Sequence, residues 1–266
     1  MDYEIDTVYY SSSVGMRSST IEFAQPEGMT TLRRLITGTD IFFANRRPGY
    51  LSQYGLSAED LAELRPGIIH VDMSVYGSSG PWRDRTGFDQ NAGGVSGILA
   101  REGTLERPAL TEIFVVNDYA MSWLAAMAVL ATLRRRAQEG GSYRIHLSLT
   151  RLSMWLLQMG LFDKDYAREI GATTGDHAYL PPEVFQADTP CGTYQGVTDQ
   201  VLMTATQLPV APRSTGLKPA ELAAATISPR GELAIAAIAA VPFEERTSIA
   251  LTIGGPVWQR PLRRSQ

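Results

Sequence analysis

The residues best suited to chemistry in this sequence are Asn117-Asp118, at the head of an almost wholly apolar run, residues 119–133, closed by Arg134-Arg135-Arg136. Asn and Asp cap helices and three arginines suit a helix's negative end, so the pattern predicts a helix beginning at this pair. A carboxylate there is held by free backbone N–H groups and the positive end of the dipole. Asp118 should therefore stay ionised and point out of the helix mouth, which suits a nucleophile or an anionic anchor; plain capping uses the same pattern. A second candidate is Asn45-Arg46-Arg47-Pro48-Gly49. Guanidinium forks beside a Pro-Gly turn match phosphate oxygens and stack on bases, although a solvated basic turn has the same composition. A third is Tyr76-Gly77, opening a Gly-rich loop through Pro81 whose bare backbone lets a ligand approach closely.

Other reactive side chains are less promising. His70, His146 and His177 lie far apart, and none has metal-ligand spacing to another or to Cys191, so no metal is expected. His70 reads as a packed strand residue, His146 as an exposed one, and Cys191 as structural. The glycines at 93, 94 and 97 precede no Lys-Ser/Thr pair and lack the dinucleotide-fingerprint spacing.

Positioning these residues requires an alternating α/β order. Residues 1–19 are polar and read as loop or frayed terminus, and 20–23 alternate as a short strand. Met29, Leu32, Leu35 and Ile36 form the apolar stripe of a helix, and Ile41-Phe42-Phe43-Ala44 is the continuous apolar run of a buried parallel strand. Ser57-Ala58-Glu59-Asp60 starts a short capped helix, and residues 68–75 read as the next strand. The Arg46-Arg47 and Tyr76-Gly77 loops thus follow strands at their carboxyl ends, where open α/β sheets bind ligands. Residues 93–97 read as flexible, 119–133 as a buried helix, 143–149 as a strand and 150–160 as a helix. Further on, 188–194 suggest a turn and 201–206 a strand, while the Ala-rich stretch from Ala220 reads as a helix then a strand, or as a loose extension.

The formal net charge of −4 carries no global basic signature, which argues against nucleic acid as a partner. A single cysteine excludes an internal disulfide and fits a reducing compartment. The longest apolar run falls short of the roughly 20 residues of a membrane span, and no leader pattern opens the chain. These features predict a cytoplasmic protein without a membrane partner.

The order of segments resembles the family III CoA-transferases, the group of formyl-CoA transferase, carnitine CoA-transferase and α-methylacyl-CoA racemase. The matching stretches are Arg17-Ser18-Ser19-Thr20-Ile21-Glu22-Phe23 with Pro26-Glu27-Gly28, Asp40 through Gly49, Tyr54-Gly55-Leu56, Tyr76-Gly77, Gly80-Pro81, Asp84 through Asp89, and Asn117-Asp118 with its helix through Gly141. The resemblance implies a Rossmann-like parallel sheet with flanking helices, an interlocked homodimer or a heterodimer with a paralogue, and acyl-CoA and a carboxylic acid acceptor as substrates. It implies that Asp118 is the nucleophile, forming an anhydride and then an aspartyl-CoA thioester. It also sets Asn45, Arg46, Arg47, Pro48 and Gly49 against the adenine and phosphate end of CoA, with Tyr76, Gly77 and Arg85 nearer the thioester. A carboxylate with a reference pKa of about 3.9 needs no deprotonation for that attack.

Departures from the family pattern are expected to matter. Phe88 stands where the racemase branch has histidine, and it cannot move a proton, so racemisation is disfavoured. Gln53 replaces a basic residue. The family's first strand-helix unit and most of its small domain are missing. The implied division is a large-domain core at 1–160, a linker and return segment at 161–219 and an atypical Ala-rich extension at 220–266. The alternative function is a catalytically inactive homologue that binds acyl-CoA or dimerises with a complete paralogue.

Overall fold

A computed structural model describes residues 16–22, 24–111, 113–171, 183–189, 192–197, 233–239 and 249–254. In order they form β1 (Met16–Ile21), α1 (Pro26–Thr37), β2 (Ile41–Ala44), a single 3-10 turn (Ser52–Tyr54), α2 (Ala58–Leu64), β3 (Ile69–Ser74), α3 (Asp89–Ser96) and α4 (Ile98–Glu102). There follow α5 (Val116–Glu139), β4 (Tyr143–Ser148), α6 (Leu149–Gln158), α7 (Lys164–Gly171), the hairpin β5 (Val184–Thr189) and β6 (Gly192–Val197), then β7 (Leu233–Ala239) and β8 (Ile249–Gly254). The main sheet has the order β1-β7-β8-β2-β3-β4, and β8, β2, β3 and β4 run parallel.

The expected α/β order is present, and local chemistry explains it. Pro26 opens α1 within its first turn, and Leu32 and Ile36, one turn apart, are fully buried. Ser57 accepts from the Asp60 N–H while Asp60 accepts from the Ser57 N–H, a reciprocal cap that starts α2. Phe42, Leu32, Ile36, Leu56, Leu61 and Ile68 make the core on one face of the sheet. On the other face Met121, Leu149 and Leu152 pack with Met73 and Leu147.

Several expectations are corrected. β1 begins at Met16, inside the stretch read as loop, because the sheet supplies it with a partner in β7. Residues 93–96 belong to α3 rather than to a flexible segment. A Cβ on Gly93 would stand 3.3 Å from Leu99, so that glycine serves close packing. His146 is no exposed residue: its Nδ1 bonds Asp72, the carboxylate directly opposite on β3. The described parts of the Ala-rich region are strands, and β7 and β8 insert between β1 and β2. Cys191, His177 and residues 201–206 lie outside the described residues.

α5 is the largest correction. It is not buried along its length, because only the stripe Asn117, Met121 and Ala125 meets the fold. Trp123, Met127 and Leu130 are 69%, 58% and 66% exposed. The helix is apolar all round, so composition hides which face packs. Its 24 residues are long and apolar enough to cross a membrane by length and composition. Its buried stripe packs against α6, α3, β3 and β4.

Candidate active site

A cavity of about 320 Å³ opens at the carboxyl ends of the parallel strands. The loop after β2 gives it Asn45, Arg46, Arg47 and Pro48; β3 gives Met73, Ser74 and Val75; α5 and α6 give Met121 and Leu149. The segment after β3 closes it with Arg85, Thr86, Gly87 and Phe88. Strand ends supply ligand sites because their loops can be shaped without disturbing the sheet. The lining combines three guanidinium groups with the apolar side chains of Met73, Val75, Met121 and Leu149.

The arginines are held in place by aromatic rings and backbone. Arg85 lies 5.0 Å over the Trp82 ring, and Trp82 meets Tyr76 edge-on at 5.6 Å. Arg46 lies 5.7 Å over Tyr50. Arg47 Nη1 donates to the Asp84 carbonyl at 3.3 Å, which ties the loop after β2 to the segment after β3. Such stacking keeps the cationic heads at the cavity while reducing the entropy lost when an anion arrives.

The cavity gathers Asn45, Arg46, Arg47, Pro48 and Arg85 but not all the predicted residues. Gly49 is not part of the lining and has a φ of 78°, in the left-handed region. Tyr76 and Gly77 form the layer behind the wall: Gly77 N donates to the cavity residue Ser74 at 3.1 Å, and the Tyr76 hydroxyl lies 3.0 Å from where a Gly87 Cβ would be. Gln53, the departure from the family pattern, donates to the Tyr50 carbonyl at 2.8 Å and so stays in its own turn. Asp118 does not line the cavity; Met121, one turn further along the same helix face, does.

Asp118 itself differs from expectation in two respects. The helix starts at Val116, after a Val115 cap that makes no side-chain bond, so Asn117 and Asp118 lie in the first turn. Asn117 is buried at 1% exposure and points inward, where its Nδ2 donates to Asp89 at 3.1 Å and its Oδ1 accepts from Ser153 at 2.6 Å. The Asp118 N–H donates to the other Asp89 oxygen at 2.7 Å. Asp118 keeps an exposed side chain, but protein crowds it on its Asp89 side. Partial desolvation, and then the Asp89 carboxylate, push it up to about 6 from the ordinary 3.8. Water at the open face and the helix dipole work against that rise. At neutral pH the group remains mostly ionised, yet it is more basic than an ordinary carboxylate.

Asp89, Ser153 and Gln90 were not singled out by sequence. Asp89 is 28 residues from Asn117 and 29 from Asp118, and no periodicity reports a contact of that span. Just before α5, Phe114 has a φ of 61°, a left-handed conformation unusual for an aromatic residue. Gln90 donates to its carbonyl at 3.4 Å.

A profile described as CoA-transferase family III matches residues 3–219. The chain belongs to that family. It is 29% identical over 160 residues to the succinyl-CoA–D-citramalate CoA-transferase of Chloroflexus aurantiacus, covering 60% of this chain and 40% of that one. It is 34% identical over 145 residues to the beta subunit of succinyl-CoA–L-malate CoA-transferase from the same organism, covering 53% of this chain and 35% of that one. Human succinyl-CoA:glutarate CoA-transferase is 30% identical over 143 residues, 54% of this chain and 33% of that one. The chain therefore spans 40% or less of the length of these relatives. A CAIB/BAIF family protein from Brucella suis superposes with a TM-score of 0.51 at 23% identity, over 70% of this chain and 50% of that one. That likeness is one of fold, and it supports the Rossmann-like reading of the sheet and its flanking helices.

Proposed function

We propose that this family III chain takes part in moving CoA between an acyl-CoA and a carboxylic acid, with Asp118 as nucleophile. The observation that carries the reading is the cavity at the strand ends. Its lining includes three guanidinium groups of the kind that match phosphate oxygens, and also Met121, one helical turn from Asp118. Its volume of about 320 Å³ lies at the low end of ligand pockets and admits part of CoA.

The chemistry follows from carboxylate basicity. The Asp118 carboxylate attacks the thioester carbonyl, the C–S bond breaks, and CoA leaves as thiolate with a mixed anhydride behind it. Thiolate then attacks the Asp118 carbonyl, the C–O bond of the anhydride breaks, and the donor leaves as its carboxylate. An ordinary substrate acid is a weaker base than a carboxylate raised to about 6, so it is the better leaving group in that step. The acceptor carboxylate then attacks the enzyme thioester, and thiolate returns to the acceptor carbonyl, restoring Asp118. Phe88, exposed at the cavity wall, offers no proton for racemisation.

The test is mass spectrometry after incubation with succinyl-CoA and with acetyl-CoA, followed by hydroxylamine. A hydroxamate at Asp118 in the wild type and none in Asp118→Ala is expected. CoA binding without any adduct would overturn the nucleophile. A second reading, an inactive acyl-CoA-binding or dimerising homologue, is favoured by one observation: Asp118 stands beside the cavity rather than in its wall. Association with a second copy or a paralogue belongs to both readings and is supported by the exposed Trp123, Met127 and Leu130 of α5.

A further inference from the structure

We propose that Asp89 is the positioning residue for Asp118: its buried carboxylate ties the start of α5 to α3 and fixes the backbone from which Asp118 projects. This rests on Asp118 being the reactive carboxylate.

The argument begins with burial. Asp89, Asn117 and Ser153 are 3%, 1% and 0% exposed, and a buried carboxylate is tolerated only when donors meet it. Both its oxygens are used, one by Asn117 Nδ2 at 3.1 Å and the other by the Asp118 N–H at 2.7 Å. The second bond satisfies a backbone donor that α5 cannot satisfy internally, so Asp89 caps this helix from another element. Asn117 is locked in turn by Ser153 Oγ at 2.6 Å, which connects α6 to the same chain of bonds. Asp89 itself opens α3, whose first turn is fixed by the Asn91 side chain accepting from the Phe88 N–H at 2.8 Å. The next residue, Gln90, holds the carbonyl of the left-handed Phe114. The beginning of α3 thus grips the beginning of α5 on both sides of its first turn.

A helix end held this way cannot fray, and fraying would move Asp118 by ångströms. Displacement on that scale costs on the order of 100-fold in a positioned reaction. Asp89 also places a negative charge beside Asp118 and contributes to its raised basicity. Arg46, Arg47 and Arg85 line the cavity.

The test compares wild type, Asp89→Asn and Ser153→Ala by two readouts. The first is a carbon-detected NMR titration of the Asp118 carboxyl, which needs no turnover. Asp89→Asn keeps the size and removes the charge, so the Asp118 midpoint should fall toward the ordinary carboxylate value. The second is the rate of hydroxamate formation at saturating acyl-CoA, expected to drop about tenfold or more in Asp89→Asn with KM little changed. In Ser153→Ala a several-fold loss of rate with an unmoved midpoint is expected, and this variant decides the matter if Asp89→Asn does not fold. An unchanged midpoint with wild-type rate in Asp89→Asn, or a wild-type rate in Ser153→Ala should only that variant fold, would overturn the assignment. A wild type that gives no Asp118 hydroxamate would sink the nucleophile reading instead, and the titration would still judge Asp89.

Discussion

A carboxylate kept above its ordinary pKa destabilises the fold that holds it, and Asp118→Asn should reveal this as a gain in stability at neutral pH. A rise from 3.8 to about 6 corresponds to a ceiling of about 3 kcal/mol, at about 1.4 kcal/mol per pKa unit. Because water reaches the Asp118 side chain, screening reduces this to about 1 kcal/mol. The sign follows from linkage. The folded chain binds the Asp118 proton more tightly than the unfolded one, so the native state is relatively favoured below pH 4 and loses that advantage as pH rises through about 6. Asp118→Asn removes the ionisation and keeps the volume. It should therefore melt about 2–4 °C above wild type at pH 7.5 and within error of it at pH 4. Differential scanning calorimetry at both pH values measures this. A variant less stable than wild type at pH 7.5, or a difference that ignores pH, would refute the reasoning by showing that Asp118 is a relaxed capping residue.

Two further outcomes follow from the same geometry. Arg47→Ala and Arg85→Ala should each weaken CoA binding about tenfold in calorimetric titrations, in line with a lost charge-assisted contact to phosphate; unaltered affinity in both would remove the cavity from the CoA site. Asp72→Ala should destabilise by about 2–3 kcal/mol in urea at pH 7, because Arg144 Nε, 2.8 Å away, and His146 lose their acceptor. Burial alone would raise the Asp72 carboxyl, but the hydrogen bonds from His146 and Arg144, with the His70 ring 3.5 Å away, outweigh it and hold the group well below the usual range. A depressed carboxyl lends its stability above the unfolded value of about 3.9 and loses it as pH falls further, so the deficit of the variant should shrink below pH 4.

What could be read in the sequence depends on the distance over which each signal acts. The helix α1 showed itself by Leu32 and Ile36 one turn apart, and α2 by a cap completed within three residues. The strand β2 is an apolar run flanked by polar turns, and the place of Arg46-Arg47 just after it pointed to the cavity through a rule about strand ends. Signals that depend on a remote partner were lost. Asp89 meets Asp118 across 29 residues, and nothing local to either reports it. The Ala-rich composition after Ala220 favours helix by propensity, yet Ile235 pairs with Ile253 and β8 lies parallel to β2, so sheet partners override it. The glycines of α3 suggested flexibility because their function, close approach to Leu99, is visible only once both are folded.

The way α5 is fastened separates the face that is held from the face that is bare. Its buried stripe, Asn117, Met121 and Ala125, lies in its first half and packs beside the turn that carries Asp118. Polar contacts add to this at both ends. At the start Asp89 holds the Asp118 N–H, and in the last turn Arg136 donates to the Gly67 carbonyl at 2.7 Å and to Asp40 at 3.2 Å. A rod pinned at both ends keeps its orientation without being covered. The side chains between the pins, Trp123, Met127 and Leu130, are then free of any part in aiming the carboxylate. Large apolar groups left in water on such a helix make its outer face the place to test for association. Substitutions at Trp123, Met127 and Leu130 can therefore test association without touching the contacts that hold Asp118, and substitutions at Asp89 or Asp118 can test reactivity without altering that exposed face.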